Sequence, residues 1–262
     1  MSASWVDIAV NLTNAQFNDD ACDVVEHAKR AGVEHMLLVG CDLESSKQSL
    51  DYAERWDLFA TAGVHPHDAK DVVQDYLVQL TDLHNHSKAI AVGECGLDFN
   101  RDFSPRQVQQ HVLSEQLALA ESLNKPVYLH EREASETLLS ILKEHKVRGI
   151  LHCFTGNQQA LEAYLDYGLH IGVTGWVCDE RRGQELQTLV PIIPDDRLHL
   201  ETDAPFLIPR TLTPKPKHRR NEPAFLIAVA QQVARLRGAE LPTLKLQCYR
   251  NFKTLFGVDN ND

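Results

Sequence analysis

Six side chains able to bind a divalent cation or move a proton recur at one kind of address in this sequence. His65 and His67 follow the run Leu58–Val64, Glu94 follows Ala89–Gly93, His130 follows Pro126–Leu129, His152 follows Gly149–Leu151, and Asp203 lies just beyond Leu198–Glu201. Each run is short, apolar and bounded by polar or turn residues, the pattern of a buried strand. Neutral imidazoles and carboxylates gathered from several strand ends hold divalent cations while leaving positions open for water. Without a cation, carboxylates grouped so closely repel each other and are pushed toward protonation. The remaining histidines have other addresses. His35, His170 and His199 begin their strands, whereas His27, His84, His86, His111 and His145 sit in polar helical stretches and are expected at the surface.

The elements that must position these groups follow from the wider pattern. With Trp5–Val10, His35–Gly40 and Leu169–Val173 added, eight strand-like runs alternate with stretches whose apolar residues recur at i, i+3 and i+4, such as Val108, Val112, Leu113, Leu117 and Ala120. Eight units in 262 residues is about 33 per unit, close to the ~30 of a strand–helix–strand element and the ~250 of a (β/α)8 barrel. A doubly wound open sheet places a glycine-rich phosphate loop after its first strand; here the first strand runs into Asn11-Leu12-Thr13-Asn14, without glycine. The reading is therefore a TIM barrel forming one domain over 1–262, since no Pro-, Gly- or Ser-rich linker divides the chain. The carboxyl ends of barrel strands face the active-site mouth, which is where the six groups fall. Asp19 and Asp20 read as the N-cap and first-turn acids of the first helix, Gly32 as its stop, and Ala224–Arg237 and Thr243–Leu255 as a closing helix pair.

Composition sets outer bounds. A chain 43% hydrophobic with 37 acids, 26 bases and a net charge of −11 is globular, and is not a protein that coats nucleic acid through a global positive field. Its six cysteines include no C-x-x-C pair, so neither a zinc knuckle nor a redox dithiol is expected, and a reducing cytoplasm suits them. The amino terminus lacks a secretory signal and no run reaches the ~18 apolar residues of a membrane span. The expected protein is cytoplasmic, without membrane association, and monomeric.

A second layer of polar residues surrounds the same rim. Arg132 lies two residues beyond His130, so on an extended strand end it shares the side of His130 and can fork onto an anionic oxygen. The segment Gly175–Gly183 sets Trp176 beside Arg181 and Arg182, a group that can stack on a base and hold a phosphate; Asp179 and Glu180 suit a helix start. Between Arg210 and Arg220 there are five bases, among them Lys217, Arg219 and Arg220, and no acid, so the rest of the chain carries −16. That stretch reads as a phosphate-contacting lid, with Asn221 capping the helix that follows.

Taken in order, Gly63-Val64-His65-Pro66-His67, Gly93-Glu94-Cys95-Gly96-Leu97-Asp98, Pro126-Val127-Tyr128-Leu129-His130-Glu131-Arg132, His152-Cys153-Phe154-Thr155-Gly156 and Glu201-Thr202-Asp203-Ala204-Pro205 resemble the motifs of the TatD deoxyribonuclease family of metal-dependent hydrolases, from Asp7 to Phe256. The resemblance implies a TIM barrel, a divalent-cation requirement, 3′–5′ exonuclease activity on single-stranded DNA and RNA, and a part in repair of oxidative DNA damage. It carries the metal-ligand roles over to Glu94, His130, His152 and Asp203. Most of that family has an H-x-H pair at the end of the first strand, where this sequence has Ala9 and Asn11; Asn11 offers only a neutral oxygen, so the first metal site is expected to be weakened or absent, leaving one or two ions.

The expected chemistry is phosphodiester hydrolysis. Asp203 is the expected general base, with His65 neutralising charge on the phosphate together with Arg132; His67 is the alternate to His65. Trp176, Arg181, Arg219 and Arg220 complete the expected substrate contacts. Mg²⁺ is the expected ion in activity, with Zn²⁺ or Mn²⁺ admitted by the imidazoles. The competing expectation is hydrolysis of a small amide, lactone or amine on the same scaffold, because a shared fold does not set the substrate.

Overall fold

The computed structural model describes residues 3–216 and 219–258. Its strands are β1 (Trp5–Val10), β2 (Val33–Leu38), β3 (Phe59–Ala62), β4 (Ala89–Asp98), β5 (Val127–Arg132), β6 (Gly149–Leu151), β7 (His170–Val173) and β8 (Leu198–Leu200). They form one sheet in the order β1 to β8. A bridge between Val10 and Ala204 and the bond from Asn11 N to Ala204 O, 2.8 Å, join the ends of β1 and β8. Strands in chain order, closed first to last and alternating with helices, make a (β/α)8 barrel.

The helices are α1 (Ala21–Arg30), α2 (Leu43–Trp56), α3 (Tyr76–Leu83), α4 (Arg106–Leu123), α5 (Ser135–Leu142), α6 (Gln158–Tyr167), α7 (Gln184–Leu189), α8 (Leu226–Arg237) and α9 (Leu241–Phe256). The chain forms two compact units, residues 1–37, 153–157 and 171–262 in one and residues 38–152 and 158–170 in the other. The first holds β1, β8 and the closing pair α8 and α9; the second holds β3 to β6 with α2 to α6.

Local sequence explains the elements that carry function. All ten residues of β4 are buried, as expected of a parallel strand covered on both faces. It runs five residues beyond the expected end at Gly93. Glycines at 93 and 96 permit this: a Cβ at either position would collide with the carbonyl oxygen of Tyr128 or of His130 on β5, and each has a positive φ, +143° and +152°. β5 likewise continues to Arg132, pairing Gly96 with His130 and Asp98 with Arg132. On α4, Gln109 and Gln116 lie seven residues apart on one face, both buried. Gln116 Oε1 accepts from Val64 N at 2.8 Å and Gln109 Oε1 accepts from Asp98 N at 2.8 Å, so one helix clamps the ends of two strands. α2 starts on a capping box in which Asp42 Oδ1 accepts from Ser45 N at 2.6 Å while Ser45 Oγ accepts from Asp42 N at 3.0 Å.

Three residues, His84, Asp20 and Asn221, take environments other than those their local sequence predicts. His84 is buried, because its Nε2 lies 3.0 Å from Ala62 O and Lys125 Nζ donates to His84 O at 2.7 Å. Burial, aided by Lys125, pushes its pKa down to about 4. Asp20 occupies the N-cap position of α1 without capping it, its carboxylate being engaged by Arg220. Asn221 does not cap the following turn, whose N-cap is Glu222; its buried Nδ2 donates to Thr202 O at 2.9 Å and Phe206 O at 2.6 Å, fastening the loop to the end of β8.

Candidate metal centre

In the second unit, three imidazoles converge on one carboxylate oxygen. Glu94 Oε1 lies 3.0 Å from His130 Nδ1, 3.3 Å from His152 Nε2 and 3.5 Å from His65 Nε2. The four side chains come from β4, β5 and the residues just past β6 and β3, and His65, Glu94 and His152 are buried. Neighbouring backbone holds them in place. His65 N donates to Cys41 O at 2.7 Å and Glu94 N to Gly40 O at 2.7 Å, while Cys41 Sγ lies 3.7 Å from Glu94 Oε2.

A second carboxylate extends this group. Asp98 Oδ2 lies 2.7 Å from His67 Nε2 and 3.4 Å from His130 Nε2, and Asp98 Oδ1 accepts from Asn100 N at 3.1 Å and Arg101 N at 2.8 Å. Asp98 belongs to the Gly93–Asp98 motif, whose sequence alone assigns it no role. The signal was available in the period of two, because 94, 96 and 98 share one face of a strand, but Gly96 reads as a strand terminator. Cys41 was also missed, and a lone cysteine after a strand carries no sequence signal for a role beside Glu94.

The electrostatics suit a cation. Burial opposes ionisation of Glu94, yet the facing rings of His152 and His65 outweigh it and hold the carboxyl well below the usual range. Burial opposes ionisation of Asp98 too, and bonds with His130, Arg101 N and His67 overcome it. Burial pushes His65 down to about 4, so at neutral pH its ring is uncharged and offers a lone pair. His130, whose burial is outweighed by its bonds to Asp98 and Glu94, is raised instead.

The donor set fits a divalent ion. A tetrahedron with the ~2.1 Å bonds of a nitrogen- and oxygen-ligated divalent ion has edges of about 3.4 Å, and the nitrogen-to-oxygen separations around Glu94 Oε1 are 3.0, 3.3 and 3.5 Å. The ligand atoms of His65, Glu94 and His130 all lie within 4.8 Å of one another. His130 Nε2 is buried, with the Asp98 carboxylate 3.4 Å away.

The first unit holds Asp203. Its φ is +55°, which turns the chain away from the strand direction just after β8. Asn11 Nδ2 donates to Asp203 Oδ1 at 2.9 Å and to Ala204 O at 3.2 Å. On the preceding residue, Thr202 N and Thr202 Oγ1 donate to the Asp7 carboxylate at 2.9 and 2.5 Å. Burial pushes Asp7 up to about 8 against those bonds, with Glu201 adding to the rise. Glu201, also buried, accepts from Cys153 N.

The expected substrate contacts are only partly available. Arg132 is half-buried at the end of β5, and Arg181 and Arg219 are exposed. Trp176 is half-buried in a 3₁₀ turn, and Arg182 lies over its ring at 5.7 Å. Together with Asp179, Arg181, Leu207 and Arg210 it lines a cavity of about 240 Å³. Arg220 is removed from the set: its two terminal nitrogens bond Asp20 at 2.8 and 2.7 Å, Glu222 at 2.9 Å and Gln16 O at 2.7 Å, over the ring of Phe17. Arg210 is likewise engaged, forking onto Glu180 at 3.1 and 3.0 Å. Lys217 and His218 of the expected lid lie outside the described residues.

A (β/α)8 barrel whose strand ends bring imidazoles around a buried carboxylate defines a divalent-cation-dependent hydrolase. Residues 6–257 match the family model of TatD-related DNases, and the chain belongs to that family. It is 49% identical over 259 residues to the 3′-5′ ssDNA/RNA exonuclease TatD of Klebsiella pneumoniae (strain 342), covering 97% of this chain and 98% of that protein. Among solved structures, a hydrolase TatD family protein from Entamoeba histolytica superposes with a TM-score of 0.89 at 27% identity, covering 98% of this chain and 99% of that one. YJJV, a TatD homolog from Escherichia coli K12, superposes with a TM-score of 0.89 at 29% identity, covering 99% and 100%.

Proposed function

We propose that this protein is a divalent-cation-dependent 3′–5′ exonuclease acting on single-stranded DNA and RNA. The observation that carries the reading is the convergence of His65, His130 and His152 on Glu94 Oε1, in a chain so similar to a protein named for that activity. Glu94, His130, His152 and Asp203 are proposed as the metal ligands, with His65 joining them; Mg²⁺ is the proposed ion in activity, Mn²⁺ or Zn²⁺ serving in its place. When bound, the cation polarises a phosphate oxygen and makes water a better nucleophile near neutral pH.

The chain's own residues do the rest. Asp203, whose Oδ1 is held by the Asn11 amide, takes the proton of the attacking water at its carboxylate. His67, bonded to Asp98, and Arg132 offset charge on the phosphate, and Arg181, Arg219 and Trp176 orient the strand. The enzyme is proposed to work as a monomer in the cytoplasm, in repair of oxidative DNA damage. Six free cysteines support the compartment. Among the described residues, no helix is long and apolar enough to cross a membrane.

The test is a direct one. Metal-loaded protein is given 5′-labelled single-stranded DNA, its blunt duplex, and a panel of small amides and lactones. A ladder shortening from the 3′ end, stronger on the single strand and abolished by chelation, is the expected result. Turnover confined to the amide and lactone panel would overturn the reading.

A further inference from the structure

The loop after β4 presents one large apolar side chain to solvent beside the metal centre. Phe103 is 55% exposed, and its ring meets that of His67 edge-on, with centroids 4.7 Å apart at 66°. His67 in turn lies 4.3 Å, ring to ring, from His65. Phe103 is therefore one ring removed from the group around Glu94.

The loop that carries it is held at nearly every residue. Asp98 Oδ1 accepts from Asn100 N and Arg101 N, and Asn100 Nδ2 donates to Glu133 at 2.6 Å. Asp102 takes a left-handed φ of +49°, stabilised by its pairing with Arg106 at 2.8 Å. Lys70 Nζ donates to Phe103 O at 3.0 Å. Ser104, fully buried, donates to His67 O at 2.8 Å and accepts from Lys70 N at 3.1 Å. Such a loop does not collapse to hide its phenyl ring. An aromatic ring held at a fixed position beside a candidate metal centre, with one face in water, can receive a flat partner such as a nucleobase.

We propose that Phe103 is a stacking platform for the unpaired terminal nucleobase of the substrate strand. The proposal rests on the nuclease reading and adds a cause for single-strand preference. A base inside a duplex has both faces covered by its neighbours, whereas an unpaired terminal base has a face to offer, and stacking on an aromatic ring tolerates any base. The edge-on His67 ring fixes the phenyl orientation, and Lys70 holds its backbone.

The test compares wild type, Phe103→Ala, Phe103→Leu and Phe103→Trp on two single-stranded oligonucleotides, one ordinary and one with an abasic sugar at the 3′ terminus. Phe103→Ala and Phe103→Leu are expected to raise KM on the ordinary strand about 5- to 150-fold, the range of base–aromatic stacking, with kcat little changed. Phe103→Trp is expected to match wild type. On the abasic strand all four proteins should share one raised KM. Equal losses on both strands, no loss on either, or a Leu variant equal to wild type would overturn the proposal. Failure of wild type to cleave any strand would overturn the nuclease reading along with it, and so is told apart from cleavage insensitive to Phe103.

Discussion

Asn11 donates its side-chain amide to the Asp203 carboxylate across 2.9 Å. Asn11, just past the end of β1, thus aims a carboxylate that follows β8. One oxygen of Asp203 accepts from a neutral donor, which biases the orientation of the carboxylate. We predict that Asp203→Asn lowers kcat by about 10²- to 10⁴-fold, the range of a lost general base, with an unchanged circular dichroism spectrum. Asn11→Ala should lower kcat by only about 10- to 100-fold, as for the loss of a group that orients a ligand. Equal kcat in Asn11→Ala and wild type would remove the aiming role.

Glu94 is the hub of the centre, so its charge should govern cation affinity. At a free cation concentration about 100 times Kd, binding stabilises the folded state by about 2.7 kcal/mol, roughly 5–10 °C in Tm for a chain of this size. Glu94→Gln is expected to abolish that rise in a thermal melt while leaving the metal-free Tm within a few degrees. Chelation of the wild-type protein should produce the same Tm as the variant.

His84 makes stability depend on pH. Its pKa in the folded protein is about 4, against 6.5 when unperturbed. Between those values the unfolded chain takes up a proton that the folded chain refuses, so stability falls as pH drops from about 6.5 to about 4. The difference corresponds to about 3 kcal/mol at most. His84→Gln, which keeps a donor for Ala62 O, is expected to flatten that part of a urea-denaturation series run from pH 7 to 4. A variant with the same slope as wild type would assign the acid sensitivity to other groups.

Arg219 and Arg220 are neighbours with opposite fates. Arg220, embedded between Asp20, Glu222 and Phe17, is expected on replacement by Ala to lower stability by about 2–4 kcal/mol, mostly by leaving acids unpaired. Exposed Arg219 should change stability by less than about 0.5 kcal/mol when replaced. Its loss should instead raise KM and reduce the slope of log KM against log salt by about 0.7, the loss of one single-strand phosphate contact. Denaturation curves and salt-dependent kinetics of the two variants separate these outcomes.

Much of the barrel was legible because strand ends and helical periods are local. All eight strand-like runs became strands, shifted by a few residues at their ends. What escaped was set by partners far away in sequence. β4 was expected to stop at Gly93, since glycine reads as a breaker, and its real function there is to let β5 approach; the extension carried Asp98 into the centre unseen. His84 looked solvent-facing from its polar neighbours, and its burial follows from the Ala62 carbonyl and the Lys125 ammonium, 22 and 41 positions away. Arg220 looked like part of a basic patch because Asp20 lies 200 positions away. Local charge counts cannot see such pairs.

The glycine at 96, which contributes no functional group, sits against the carbonyl of His130. Any larger residue there would wedge β5 off β4 and draw the His130 ring from Glu94. In a saturation scan read only by activity, position 96 would rank beside the ligands themselves. The tolerance map of this enzyme would then trace the spacing between two backbones as sharply as its reactive atoms.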